Sequence, residues 1–495
     1  MEVLMQSLKL DLPEALLALG ITLLLVVDLA LMKRTPGRRG IAAAIALGTL
    51  SAAGLAAGWL VRSAAAPAPV FSAMAVVDPF SNYFKLLFLA AAAIVVLLSR
   101  ASREVEDSRA SEFHVLLLAM TLGLCLLSGA TNALMIFLSL EFVSVTSYVL
   151  TAFSRRSKRS AEAALKYVLY GAMASAVMLF GFSYLYGLTG QLGIHAFGPP
   201  LAGLLGAGAP QKLIVSLAVI MVLTGFFYKI AAVPFHMWCP DVYEGAPTPV
   251  SALLSVGPKA AGFAVLIRFF GVALGFAALP WAALLGAIAA ATMTLGNLAA
   301  IAQNNVKRLL AYSSIAHAGY MLAAVATGSA EGIAAVMLYL GIYLCMNLGA
   351  FLVVIAVRDN TGGREDVAAY SGLAQRNPLL AVTMTVFLLS LVGLPPLGGF
   401  VGKFFVFAAL LKMAGFWYYA LAVVGVLNSA VSLYYYARII KAMFLTQPEP
   451  ADAGALTVAR SHSLLALALS AAVIVLGVYW IPLQTLAERS VLHLP

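Results

Sequence analysis

Residues 225–234 read Gly-Phe-Phe-Tyr-Lys-Ile-Ala-Ala-Val-Pro, and Lys229 has no charged neighbour for many positions on either side. A cationic side chain at membrane depth costs roughly 2.5–3.5 kcal/mol even on lenient insertion scales. The chain repeats this cost at Lys259, in SVGPKAAGFAVLI (255–267), and at Lys403, in LPPLGGFVGKFFVF (394–407). It adds a carboxylate, Glu141, inside ALMIFLSLEFVSVTSYVL (133–150). Three lysines and a glutamate in segments long enough to lie in hydrocarbon point to a protein that moves charge.

The composition around this stretch agrees. Of 495 residues, 63% are hydrophobic and 10% charged, against about 25% charged in soluble domains. Mean hydropathy is +0.99. Apolar spans of about 20 residues recur from end to end, which defines an all-α polytopic membrane protein. Cys125, Cys239 and Cys345 lie far apart, so neither a disulfide framework nor an iron–sulfur site is indicated. GGFVGKF lacks the spacing and hydroxyl of a phosphate loop, and no dinucleotide fingerprint occurs. The histidines and the sparse acids suggest no metal cage. The expectation is therefore no redox centre, cofactor or metal on this chain.

The hydropathy pattern predicts fourteen transmembrane helices, at about 12–32, 41–61, 79–99, 113–129, 131–153, 162–187, 212–235, 248–270, 278–301, 308–327, 331–357, 379–411, 416–445 and 462–482. The first is preceded by Glu2, Asp11 and Glu14 rather than a basic region, and reads as a retained helix rather than a signal peptide. Alternate connections carry Lys33, Arg34, Arg38 and Arg39; then Arg100, Arg103 and Arg109; then Arg155, Arg156, Lys158 and Arg159. The series continues with Lys307 and Arg308, with Arg358, Arg364 and Arg376, and with Arg438, Lys441 and Arg460; the connection 236–247 has none. The opposite side has only Lys9, Arg62, Lys212, Arg268, Lys412 and Arg489. This asymmetry places the basic loops in the cytoplasm and both termini outside. The formal charge of +10 is then a topology signal beside anionic headgroups, and no nucleic-acid partner is expected.

Two of these spans are interrupted. The seventh ends through Pro234, and the twelfth is broken at Gly393-Leu394-Pro395-Pro396-Leu397-Gly398-Gly399. Proline removes a backbone donor and clashes with the preceding turn, and in hydrocarbon the freed carbonyls confine such breaks to cavity linings. The interrupted spans lie five apart and each carries a lysine. Spans four to eight and nine to thirteen then form two five-helix units, which their odd number forces into an inverted repeat. The expected division is 1–112, an N-terminal three-helix segment; 113–275 and 276–446, the two repeats; and 447–495, a C-terminal helix.

Each candidate has a bland and a functional reading. Lys229 either snorkels to the interface or is a titratable amine tuned by burial and a neighbouring carboxylate. Glu141, the one carboxylate near the middle of any span, is its natural partner, either as a structural ion pair or as a switch. Lys259 is central in its helix, follows Gly257-Pro258, and is placed to pass protons between the halves. Lys403 stands about two turns beyond the double proline, where a terminal relay group belongs. Lys166 follows Glu162 at i,i+4, which is ordinary helix chemistry or a further relay group. Lys85 reads as a snorkelling lysine near the outer end of its span. His317, beside Tyr312, Ser313, Ser314 and Tyr320, is a satisfied interior histidine or a relay. His236 reads as a cap of the seventh span.

Long motifs carry a family resemblance. YKIAAVPFHMWCPDVYEGAPTPVSALLSVGPKAAGFAVLIR (228–268) resembles the signature of the antiporter-like membrane subunits of respiratory complex I, which have relatives in multisubunit cation/proton antiporters. GNLAAIAQNNVKRLLAYSSIAHAGYML (296–322) and VVDPFSNYFK (76–85) resemble the subunit N branch. The long lateral helix of the large L subunits has no room after residue 482, and M subunits usually have glutamate where Lys403 stands; both departures favour N. The resemblance implies fourteen helices, two inverted repeats, a Glu141–Lys229 pair, a central Lys259 and a terminal Lys403, with Lys166 and His317 at positions kept in this branch.

It also implies a function: a proton-translocating subunit in the membrane arm of an NADH-quinone oxidoreductase of a bacterial plasma membrane. FMN, iron–sulfur clusters and quinone would belong to partner subunits. The expected partners are the antiporter-like subunit M, small membrane subunits and lipid. The rival readings are a cation/proton antiporter subunit without redox coupling and a structural scaffold that moves nothing.

Overall fold

The first described helices are α1 (Leu12–Ala30) and α2 (Arg38–Arg62), which form a hairpin closed at one end by Arg38 on Asp28 at 2.7 Å. The computed structural model describes residues 10–30, 37–63, 67–154, 157–274, 281–448 and 454–492. The charges read at Glu2, Lys9, Lys33, Arg34, Arg155 and Arg156 lie outside these residues. A two-stranded antiparallel hairpin, β1 (Ala68–Val70) and β2 (Ala75–Val77), is the one sheet among the described residues and had no counterpart in the hydropathy reading. It leads into α3 (Pro79–Ala101). Asp78 caps α3 by accepting from the Ser81 amide at 2.7 Å, while Ser81 Oγ accepts from the Asp78 amide at 3.1 Å. That reciprocal cap, with proline at the first helical position, fixes where α3 begins.

Helices α4 (Ala110–Gly129), α5 (Ala133–Thr151), α6 (Lys158–Thr189), the short α7 (Gly198–Ala207) and α8 (Ala209–Ile230) follow. Next come α9 (Trp238–Gly245) and α10 (Thr248–Arg268), which runs on into a π-helical turn at Phe269–Leu274. The second half contains α11 (Trp281–Ile301), α12 (Val306–Val325), α13 (Ala330–Asn360), the single turn α14 (Leu373–Arg376), α15 (Pro378–Val392), α16 (Gly398–Lys412) and α17 (Phe416–Leu445). The chain then adds α18 (Arg460–Val478) and α19 (Ile481–Val491). The C-terminal span expected at 462–482 is thus α18, and an 11-residue helix beyond it packs on α13 and α3.

Among the described residues, twelve helices are long and apolar enough to cross a membrane. The chain is an all-helical, multi-pass membrane protein. Two of the fourteen expected spans differ for physical reasons. α12 has 20 residues, but Lys307, Arg308, Ser313, Ser314 and His317 lower its hydropathy. The span expected at 379–411 is two helices of 15 residues each, α15 and α16.

Two helices form the centre. α10 is buried along its whole length, and α13 along most of it. They pack on each other, with α3, α4 and α8 around α10, and α12, α15, α16, α18 and α19 around α13. α11 and α12 approach closely through glycine. A Cβ on Gly319 would lie 2.6 Å from the Met293 amide nitrogen, and one on Gly296 would lie 2.7 Å from that of Ala316. Small residues let backbones meet where helix association depends on van der Waals contact.

Both interruptions are present. α8 stops at Ile230, four residues before Pro234, because Ala231 adopts φ 58 and its amide turns back to Phe227 and Tyr228 carbonyls. α15 stops at Val392 with Gly393 at φ 91. Each break contains a cis X–Pro bond, Val233–Pro234 and Pro395–Pro396. Pro258, by contrast, sits inside a continuous α10. The segment 236–247, expected as a bare connection, contains α9.

Some charges counted by side in the sequence are interior. Arg268 is buried and bidentate on Asp78 at 2.8 and 3.0 Å, with further hydrogen bonds to the Ser128 carbonyl. Lys307 is buried against Glu365 at 3.2 Å and donates to the Ala246 carbonyl at 2.7 Å. Lys85 does not snorkel: it is 1% exposed and lies 2.7 Å from Glu14. Hydropathy counts a residue by its place in the chain, whereas helix rotation decides which way it points.

Candidate functional site

Lys229 lies in the last turn of α8, Lys259 midway along α10, and Lys403 in the second turn of α16. They are 0%, 1% and 4% exposed respectively. Snorkelling is therefore excluded within this chain. Among the described residues none of the three makes an ion pair with a carboxylate; hydroxyls and one carbonyl receive their ammonium groups.

Lys229 Nζ donates to Ser144 Oγ of α5 at 3.0 Å. The Pro234 break beside it leaves backbone groups that the protein itself satisfies. The Tyr228 carbonyl accepts from Trp238 Nε1 at 3.0 Å, and the Val233 amide donates to Thr292 Oγ1 at 3.0 Å. Glu141, expected as the direct partner of Lys229, does not touch it. Its carboxylate accepts from Ser175 Oγ of α6. It is half-buried on α5, one turn from Ser144 and beside the exposed Leu138, Phe142 and Val145. Glu141, three residues before Ser144, lies on nearly the same side of α5, so it acts on Lys229 through its charge while its carboxylate is engaged by Ser175.

Lys259 Nζ donates to Ser314 Oγ of α12 at 2.7 Å and lies 5.8 Å from the Tyr243 ring centroid. One turn along α12, His317 Nδ1 is 2.6 Å from Tyr339 Oη of α13. Its ring also packs on Tyr343 and Tyr320, with centroids at 5.1 and 5.9 Å. Tyr320 in turn lies under Lys403 Nζ, 4.5 Å from ammonium to ring centroid. A cation over an aromatic face is held by the ring quadrupole. Lys403 Nζ donates to Ser429 Oγ at 3.0 Å and to the Val392 carbonyl at 2.8 Å. That carbonyl belongs to the last residue of α15, so the lysine supplies a donor at the broken helix. A cavity of about 570 Å³ opens beside it, lined by Lys403, Ser429, Gly393, Phe400 and Phe407.

Lys259, His317 and Lys403 therefore stand in one buried row, with Lys229 at its head: Gly262 of α10 packs on the Lys229 stem. The sequence supplied the charged members and the Ser314 and Tyr320 neighbours. It gave no sign of Ser144, Ser429, Tyr339 or Tyr343, which reach the row only through packing between distant helices. Asn297 completes the polar lining, donating to Tyr320 Oη at 3.1 Å and accepting from Tyr435 Oη at 2.9 Å.

Lys166 is outside this row. It is part of a charged collar around α9, with Glu162 and Asp241 each at 2.8 Å. Arg308 also holds Asp241, and holds Glu244 at 3.1 Å, while Arg159 lies 3.7 Å from Glu244. Glu104 accepts from the Thr248 amide at 2.8 Å, at the start of α10. Burial works to raise the Asp241 carboxyl, but hydrogen bonds and charge from Lys166 and Arg308 overrule it and hold it below its ordinary value. His236 does not cap α8. It is buried in the turn after the break, its Nδ1 has no hydrogen-bond partner, and burial lowers its basicity.

The chain has known relatives. The family described as NADH:quinone oxidoreductase/Mrp antiporter, TM, matches residues 130–429, which include every member of the row. The chain is 46% identical to NADH-quinone oxidoreductase subunit N of Anaeromyxobacter sp. (strain Fw109-5), covering 97% of this chain and 95% of that one. It is similar to a chain of respiratory complex I from Thermus thermophilus, with TM-score 0.78 at 34% identity over 96% of this chain and 99% of that one. The Mrp complex from Dietzia sp. DQ12-45-1b shares the fold, with TM-score 0.82 at 23% identity over 98% of this chain and 97% of that one. The chain belongs to the NADH:quinone oxidoreductase/Mrp antiporter membrane-subunit family, among its subunit N members.

Proposed function

We propose that this chain carries protons across the membrane as a membrane-arm subunit of an NADH:quinone oxidoreductase, through Lys229, Lys259, His317 and Lys403 in that order. The observation that carries this reading is the row itself: three buried amines that make no direct ion pair with a carboxylate among the described residues, linked by hydroxyl and aromatic groups. Lys259 of α10 reaches Ser314, which lies one turn of α12 from His317, and Tyr320 bridges His317 and Lys403. Transfer between Lys229 and Lys259 passes Ile230 and Gly262 and requires a bridging water or a small movement of α9. Glu141, half-buried on α5, receives an electrostatic signal from the adjoining subunit and passes it through Ser144 toward Lys229. Lys166 acts as a positioning group for α9 through Asp241.

The same reading assigns fourteen spans, counting α12 and the pair α15–α16, in two inverted five-helix units at 113–275 and 276–446, flanked by 1–112 and 447–495. Matching interruptions with positive-φ caps at Ala231 and Gly393 support the repeat. Both termini lie on the outer side of a bacterial plasma membrane. Subunit M and small membrane subunits are the neighbours, with lipid filling the remaining apolar surface. Flavin, iron–sulfur clusters and quinone belong to partner subunits, and no redox centre belongs to this chain.

The test is Lys229→Ala in the assembled complex, with quinone reduction and proton pumping measured together. Both should fall severalfold while the subunit stays in the complex. Wild-type rates for both would refute the relay.

A further inference from the structure

Three ionisable side chains meet in the N-terminal helices, away from the row. Asp11 and Glu14 come from the start of α1 and Lys85 from α3. Lys85 Nζ lies 2.7 Å from the Glu14 carboxylate and 3.8 Å from that of Asp11. Their exposures are 7% for Asp11, 4% for Glu14 and 1% for Lys85. Lys85 is seven residues into α3, about 10 Å along the helix from Asp78. Neither Glu14 oxygen has a hydrogen-bond donor among the described residues beyond the contact with that ammonium.

Counting charge exposes an imbalance. Among the described residues, two ionised carboxylates around one ammonium leave a net negative charge in apolar surroundings, where an unpaired charge is strongly disfavoured. Nothing on the packed helices among the described residues cancels it. α4 presents the Cys125 thiol, which carries no positive charge. Arg62, the basic residue at that end of α2, is exposed, and Arg268 of α10 is bound to Asp78. One bound proton makes the cluster neutral, as a carboxylic acid beside a carboxylate–ammonium pair.

We propose that Asp11, Glu14 and Lys85 form a proton-binding site that holds one exchangeable proton on its carboxyl pair, separate from the row running from Lys229 to Lys403. Binding converts one carboxylate and a solvent proton into a carboxylic acid, and the cluster's charge rises from −1 to zero. Asp11, at 3.8 Å from the ammonium, carries the proton. The site stands whether or not the row conducts.

The test is pH-step infrared difference spectroscopy of the assembled complex in membranes, reading the C=O stretch of protonated carboxyl groups. Asp11→Asn and Glu14→Gln should each remove one carboxyl's worth of the titrating band, and Lys85→Met should double the protonated population by releasing both acids from their cation. Asp11→Glu, which keeps the carboxyl and guards against a variant that fails to assemble, should shift the band rather than abolish it. Lys229→Ala should leave the band unchanged, which separates this result from any failure of the relay. A band that ignores Asp11→Asn, Asp11→Glu and Glu14→Gln alike would overturn the proposal.

Discussion

Ser314 shows how single side chains set the chemistry of the row. It offers Lys259 its hydroxyl at 2.7 Å, while its own proton goes to the Ala311 carbonyl. A hydrogen bond to a charged group is worth about 1.5–3 kcal/mol, so Ser314→Ala should slow pumping by roughly tenfold or more with the subunit still assembled. Ser314→Thr, which keeps the hydroxyl, should restore most of it; equal pumping by Ala and Thr variants would remove Ser314 from the route. Much at this scale was legible in the sequence. Lys229, Lys259 and Lys403 could be picked out because charge inside an apolar run is costly and has to be explained. Their partners could not, because a serine or tyrosine in a membrane helix carries no such cost and gives no such signal. Glu141 shows the complementary limit: its depth was readable, but its hydroxyl partner Ser175 on α6 was not.

At the scale of elements, α9 packs against α6, α10 and α12, and charge holds it in place. Asp241 draws on Lys166 from α6 and Arg308 from α12. Because its folded carboxyl sits below the ordinary value, its contribution is present above that value and is lost as pH falls through the lowered one. Hydrogen exchange over 236–247, corrected for intrinsic rate, should stay protected from neutral to mildly acidic pH and open only in stronger acid. Asp241→Asn should loosen that segment at neutral pH and abolish the acid transition; an unchanged acid transition would discount the collar. The sequence foretold the breaks at Pro234 and Pro395-Pro396, since proline and glycine act locally. It missed α9 itself, whose Asp241 and Glu244 are held by side chains from α6 and α12 that lie far away in the chain.

For the whole molecule, the buried Arg268–Asp78 pair binds the start of α3 to the end of α10. Removing one partner strands the other, at a cost of about 3–5 kcal/mol. Arg268→Met should therefore cut the amount of chain recovered in the assembled complex, and Asp78→Leu combined with Arg268→Met should recover part of it. Recovery no better than in the single variant would deny the pair this role. Overall architecture was the most readable level, because twenty-residue apolar spans and alternating basic loops are repeated many times along the chain. The count blurred only at α12, where polar residues that line the row erode the hydropathy, and at α15–α16, where the break leaves two helices of 15 residues each. One further point follows from the bond between Lys403 and the Val392 carbonyl. The amine acts as a splint across a fractured rod, so discharging it weakens the joint it braces. Electrical state and backbone posture at that joint are thus one variable, and the two halves of the fractured rod should shift against each other whenever its occupancy changes.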